Sequence, residues 1–165
     1  MKTDFTQTLK QHSALLARVA SGYEANDALR QELLQEIAIA VWQGLKRFEG
    51  KSSLKTYILK IAHNRAVSHI AANARVPALE PLEDHIVPAS VASSSPEQQT
   101  VQDSSLNALL SIVRQLPLPG RQVLTLSLEG LSYEEIADIS GLTRNHVGVI
   151  LKRTKSEVVR RMENA

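Results

Sequence analysis

From Thr143 to Arg161 the chain carries Arg144, Lys152, Arg153, Lys155, Arg160 and Arg161 against the single acid Glu157. Clustered charge of that sign suits the holding of a polyanion. Arg144 and Asn145 supply the guanidinium and amide groups that pair with base edges in the major groove. His146 lies beside them, and Val149 can touch a thymine methyl. A second basic stretch precedes this one: residues 44 to 75 hold Lys46, Arg47, Lys51, Lys55, Lys60, Arg65 and Arg75 against Glu49. Sequence-dependent DNA contact by the later segment is the leading expectation.

Such groups need rigid supports, and residues 132 to 151, SYEEIADISGLTRNHVGVIL, spell a helix-turn-helix. Ser132 and Glu135 form a capping box, with Leu131 and Ile136 at the positions of a hydrophobic staple. Gly141 stands where the chain leaves a helix with positive φ. Thr143 can cap the next helix, in which Val147, Ile150, Leu151, Thr154 and Val158 share one stripe. Asn145, Val149, Lys152, Arg153, Ser156 and Arg160 point the other way. The same pattern suits an ordinary helical hairpin with a solvated basic face, so the motif needs the rest of the chain to support it.

The 165 residues are 43% hydrophobic with a net charge of only +2, enough for a globular core in one or two small domains. No cysteine is present, which excludes disulfides and thiolate metal sites. The run IAIAVW at 37 to 42 is too short to span a bilayer, and the N-terminus lacks the apolar core of a signal peptide, so the expected location is the cytoplasm without membrane insertion. Leu34, Ile37, Val41, Leu45 and Phe48 recur at helical spacing, as do Leu54, Ile58, Ile61 and Ala62, and an earlier helix is expected around Phe5 to Ala20. Leu106, Leu109, Leu110 and Val113 give another, ended by Leu116-Pro117, after which Pro119 can open the next. Between them, Pro77, Pro81, Pro88 and Pro96, the serines 93 to 95, and five acids (Glu80, Glu83, Asp84, Glu97, Asp103) with no Lys or Arg from 76 to 113 read as a linker over 74–103. The expected fold is all-α: a helical domain over 1–73, the acidic tether, and a four-helix domain over 104–165 ending in the helix-turn-helix.

RFEGKSSLKTYILKIAHNRAVSHI at 47 to 70, ELLQEIAIAVW at 32 to 42 and LPLPGRQVLTLSLEGLSYEEIADISGLTRNHVGVILKR at 116 to 153 resemble, in order and spacing, the conserved blocks of the extracytoplasmic-function sigma factors of bacterial RNA polymerase. The resemblance covers nearly the whole chain. It implies a non-enzymatic initiation factor whose partners are core polymerase, through its β′ clamp helices and β flap, and promoter DNA, and it leaves an anti-sigma factor open as a further partner. No cofactor or metal is expected. Glu32, Gln35 and Glu36 match the polymerase-facing positions. Phe48, Gly50, Lys51, Ser52, Ser53, Lys55, Tyr57, Lys60, His63 and Asn64 match the segment that takes the minus-ten element as a single strand, with Phe48 or Tyr57 as the nearby stacking ring. Arg121, Thr143, Arg144, Asn145, His146, Val149, Lys152 and Arg153 form the expected duplex reader of the minus-thirty-five element. By the same resemblance the acidic linker would thread the RNA exit path.

The chain departs from the family pattern at Tyr57 (usually Trp), Ser68 (usually Asp), Ala71 and Ala72 (usually Arg), and Gly148-Val149-Ile150 (usually Lys-Ser-Arg). A mid-helix glycine costs about 1 kcal/mol relative to alanine, so Gly148 calls for a reason such as close approach of DNA. Other classes explain less. The five histidines (His12, His63, His69, His85 and His146) lack metal-ligand spacing and no glycine-rich phosphate loop is present, which argues against an enzyme. A stand-alone helix-turn-helix regulator of duplex operators accounts for the C-terminal half only.

Overall fold

Asp4, Asn26, Ser53, Ser132 and Thr143 each accept a backbone N–H two or three residues on, and five of the chain's helices start at these caps. The computed structural model describes residues 4–75 and 101–164. Its elements are α1 (Phe5–Tyr23), α2 (Asp27–Leu45), α3 (Leu54–Arg75), α4 (Val101–Gln115), α5 (Leu118–Leu128), α6 (Tyr133–Ser140) and α7 (Arg144–Glu163). All secondary structure among the described residues is helical, as expected.

The N-terminal three helices pack Leu16, Leu33, Ile37, Val41, Ile58, Leu59, Ala62 and Ala66 together, each at most 1% exposed. At about 1.5–3 kcal/mol for a fully buried Leu, Ile or Val, these positions dominate the stability of that bundle. In the C-terminal half, Val123, Leu126, Ile136, Val147 and Leu151 gather α5, α6 and α7 around a second centre. Pro117 ends α4 and starts α5, with Pro119 inside the first turn. The α6–α7 turn is built as its residues dictate: both halves of the Ser132–Glu135 capping box are present, and Gly141 takes φ 81°. Thr143 Oγ1 then accepts from the His146 amide at 3.1 Å.

Two details add to the expected layout. Helix α3 runs to Arg75 and α4 begins at Val101, so both ends of the 74–103 segment are helical. The remaining linker, with Glu80, Glu83, Asp84, Glu97 and His85, lies outside the described residues. The two halves also share one continuous apolar cluster, because α1 and α3 pack against α4, α5 and α6. Polar links close this seam. Arg18 grips Glu129 with two bonds, Nε to Oε2 at 2.8 Å and Nη2 to Oε1 at 3.0 Å, and Arg114 Nε donates to the Ser21 carbonyl at 2.8 Å.

Candidate nucleic-acid interface

The outward face of α7 is the simpler of the two proposed DNA faces. Arg144, Asn145, His146, Val149, Lys152 and Arg153 are all exposed, while Val147, Leu151 and Thr154 are buried behind them. Glu157, the acid of this segment, is paired with Arg160 and Arg161, each at 2.6 Å. These bonds hold its carboxyl below the usual range, the Arg160 guanidinium first among the causes. Arg144, Lys152 and Arg153 make no ion pair with another described residue, so their charge is available to phosphate. Thr143 spends its hydroxyl on the α7 cap.

Arg121 does not join them. It is only 8% exposed and turns inward, Nη2 donating to the carbonyls of Arg114 at 2.7 Å and Leu116 at 2.9 Å. The guanidinium caps the end of α4, where Pro117 leaves carbonyls without helical partners, and stands 5.6 Å over the Tyr23 ring. Its expected place in the duplex-reading set is therefore wrong.

The expected single-strand set is dispersed. Gly50, at φ 77°, lets an exposed loop turn, with Lys51 beside Glu49 at 3.1 Å and Ser52 bonded to the Ser53 carbonyl. Ser53 is the α3 cap, its Oγ accepting from the Thr56 amide at 3.1 Å. Phe48 and Tyr57 lie with ring centroids 4.8 Å apart, and the Tyr57 hydroxyl donates to the Gly44 carbonyl at 2.7 Å. Both rings are half-buried against each other, and Tyr57 is tied to α2 rather than presented as a stacking platform. Asn64 is exposed.

Lys55 and Lys60 reach across the seam. Lys55 Nζ donates to the Glu129 carbonyl at 2.7 Å, and Lys60 Nζ lies 3.7 Å from Asp138. Between them the Thr56 hydroxyl donates to Glu135 at 2.9 Å, joining the cap of α3 to the capping box of α6. The Ser132 amide first, and then Thr56, hold the Glu135 carboxyl below its ordinary value.

His63 is fully buried, which overturns its assignment as a DNA contact. Its Nδ1 is 2.8 Å from the Tyr23 hydroxyl, and its Nε2 finds no partner among the described residues. Burial pushes its pKa down to about 3 and pushes the Tyr23 phenol well above its ordinary value. Both groups are neutral at pH 7, so His63 carries no charge for a phosphate.

The expected polymerase-facing residues share one side of α2. Glu32 and Gln35 are exposed, and Glu36 sits 3.8 Å from Arg65 Nε. The same side continues through Ile39, 56% exposed, to Trp42, 43% exposed with Lys46 Nζ 3.7 Å over its ring. Sequence reasoning missed both. Trp42 falls one place off the buried stripe of Val41 and Leu45, and that offset was the available signal. Also missed was Tyr133, whose exposed ring leans on Gly148. Gly148 thus has a reason internal to the fold.

Comparison with known proteins agrees with this architecture. Sigma-70 region 2 matches residues 8–76 and Sigma-70 region 4 matches residues 106–158. The RNA polymerase sigma-H factor of Pseudomonas aeruginosa is 34% identical over 141 residues, covering 78% of this chain and 69% of that protein. The ECF RNA polymerase sigma-E factor of Haemophilus influenzae is 26% identical over 145 residues, covering 84% and 76%. Among solved structures, the sigma factor RpoE in complex with the anti-sigma factor NepR from Bartonella quintana superposes with a TM-score of 0.74 at 21% identity, over 97% of each chain. CnrH in complex with the cytosolic domain of CnrY gives 0.67 at 17% identity, over 97% of this chain and 88% of that one. A stand-alone regulator would leave the region 2 match without explanation. With both regions in order on one chain, the protein belongs to the extracytoplasmic-function sigma factors, which direct RNA polymerase to specific promoters.

Proposed function

We propose that this sigma factor divides its work between two faces. The α2 side from Glu32 through Gln35, Glu36 and Ile39 to Trp42 docks on the β′ clamp helices of core polymerase, its carboxylates setting register against basic partner groups and its apolar end supplying area. The loop from Gly50 to Ser53, with Lys55, Lys60 and Asn64, takes the melted minus-ten strand. The outward face of α7 enters the major groove of the minus-thirty-five duplex, and the C-terminal half meets the β flap. The cations on the exposed side of α7 that pair with no other described residue, together with the Asn145 amide, carry this reading. Among the described residues no helix is long and apolar enough to cross a membrane. The work belongs where core polymerase and DNA are, in the cytoplasm. The RpoE neighbour was solved with an anti-sigma factor, and a protein of that class that clamps the seam would control this chain as well.

Reconstitution with core polymerase, followed by genome-wide sequencing of transcript 5′ ends, tests the reading. The expected result is a set of starts sharing two spaced elements, lost on removal of residues 1–73. Starts indistinguishable from those of core polymerase alone would refute it.

A further inference from the structure

The outward face of α7 has no side chain at its centre. Arg144, Asn145, Gly148, Val149 and Lys152 line up on that face, and Gly148 is the middle of the row. The Tyr133 ring from the first turn of α6 occupies the space a side chain would fill. A Cβ on Gly148 would lie 3.3 Å from Tyr133 Cε2 and 3.8 Å from Cδ2. The ring stays 42% exposed and Val149 47% exposed. Together these six residues line a shallow hollow of about 480 Å³ with an apolar floor and a rim of two cations and an amide. No carboxylate lines it.

We propose that this hollow is a seat for the 5-methyl group of a thymine in the upstream duplex element, with Tyr133 and Val149 as specificity-determining residues. The inference rests on the reading of α7 as the duplex-facing helix. Thymine's methyl is the one apolar group that base edges present in the major groove, so an apolar floor at the centre of a base-facing row selects it. Arg144 and Lys152 lie one turn to either side of Gly148, spaced to hold flanking phosphate or purine groups while the methyl enters between them. Gly148 keeps the seat open by letting the Cε2–Cδ2 edge of the ring approach the helix.

The test uses holoenzyme assembled on core polymerase and a duplex promoter whose upstream element has been footprinted. Each thymine there is replaced in turn by uracil, which removes only the methyl. Wild-type holoenzyme should bind about three- to fivefold less tightly at one such position, the factor that burial of one methyl carries. Tyr133→Ala should bind thymine and uracil equally at that position and keep the wild-type response elsewhere. Tyr133→Phe should discriminate as the wild type does, and Gly148→Ala, which displaces the ring, should discriminate less. Discrimination that survives Tyr133→Ala overturns the proposal, as does an upstream element insensitive to every replacement. Uniform loss of binding by Tyr133→Phe would make the residue a phosphate contact through its hydroxyl and also refute the seat. Holoenzyme with no dependence on an upstream element would instead sink the reading of α7 itself.

Discussion

Helices α3 and α7 each carry a row of cations suited to nucleic acid, yet they spend them differently. On α3, Lys55 and Lys60 are engaged by a carbonyl and a carboxylate of the other half, and Glu135 takes the Thr56 hydroxyl between them. On α7, Arg144, Lys152 and Arg153 face outward. The Glu129 carbonyl and the α6 acids Glu135 and Asp138 therefore take the α3 groups that the proposed reading gives to single-stranded phosphate, and nothing comparable among the described residues covers the outward face of α7. On the proposed division of work, a chain in this arrangement would meet duplex DNA with one half, while its other half would first exchange an internal partner for an external one. Core polymerase, by holding the two halves at separate promoter elements, would supply that exchange.

The comparison is sharpest between two arginines. Arg121→Ala should cost about 2–3 kcal/mol of stability, since it removes charge-assisted bonds to two carbonyls at the buried end of α4, while leaving promoter preference intact. Arg144→Ala should leave the melting transition in place and shift base preference by about 1–3 kcal/mol where a bidentate pairing with a base edge is broken. Denaturant titration and competition binding on mutated promoters read the two effects. The reverse pairing would mean that the inner and outer faces have been interchanged.

The inner side of α3 gives the next effect. Folded His63 stays neutral down to about pH 3, whereas the unfolded chain takes up that proton below about pH 6.5. Its contribution is fully present above pH 6.5 and is lost as pH falls toward 3, on the order of 2 kcal/mol by pH 5. His63→Leu should flatten this part of the profile in thermal melts from pH 7 to 4.5, whatever it does to the melting temperature at pH 7. An unchanged slope would show that His63 is not buried as described.

Legibility followed the range of the interactions. The α6–α7 unit was readable because its capping box, its Gly141 turn and the Val147–Leu151–Thr154 stripe depend on neighbours within a few residues. On α3 the Leu54–Ile58–Ile61–Ala62 stripe marks the side facing α2. Ile58, Leu59, Ala62, His63 and Ala66, the positions fully buried, instead span about 140° of the helix at 100° per residue, since the seam adds a second covered side. A partner 40 residues away, Tyr23 of α1, leaves no period in the local sequence, so His63 looked as exposed as its neighbours Lys60 and Asn64. Arg121 was misread for another reason: a cation near a DNA-binding motif suggests phosphate, although the carbonyls stranded by Pro117 lie closer. Nothing local in the sequence marks the partners 111, 78 and 79 residues away that docking gives Glu129, Asp138 and, beyond its capping role, Glu135.

On the exposed face, replacing Lys152 and Arg153 together with alanine should weaken holoenzyme binding on every promoter alike. It should reduce the slope of log affinity against log salt by about 0.9 for each phosphate no longer neutralised. A change confined to particular sequences would make these lysine and arginine side chains base readers and leave the phosphate anchors to be found elsewhere.

The smallest effect bears most directly on why the two faces differ. The Lys60–Asp138 pair is long, at 3.7 Å, and side-chain exposures of 46% and 74% leave it well solvated, so it is worth at most about 1 kcal/mol. Asp138→Ala should therefore raise the affinity of the isolated chain for a single-stranded minus-ten oligonucleotide by no more than about fivefold, by removing the acid that competes for Lys60. In holoenzyme, if the halves stand apart as proposed, the same variant should bind as the wild type does. Fluorescence anisotropy at low salt measures both. A gain in holoenzyme equal to that in the free chain would mean that Asp138 repels DNA directly, and the seam would then have no part in withholding the α3 face.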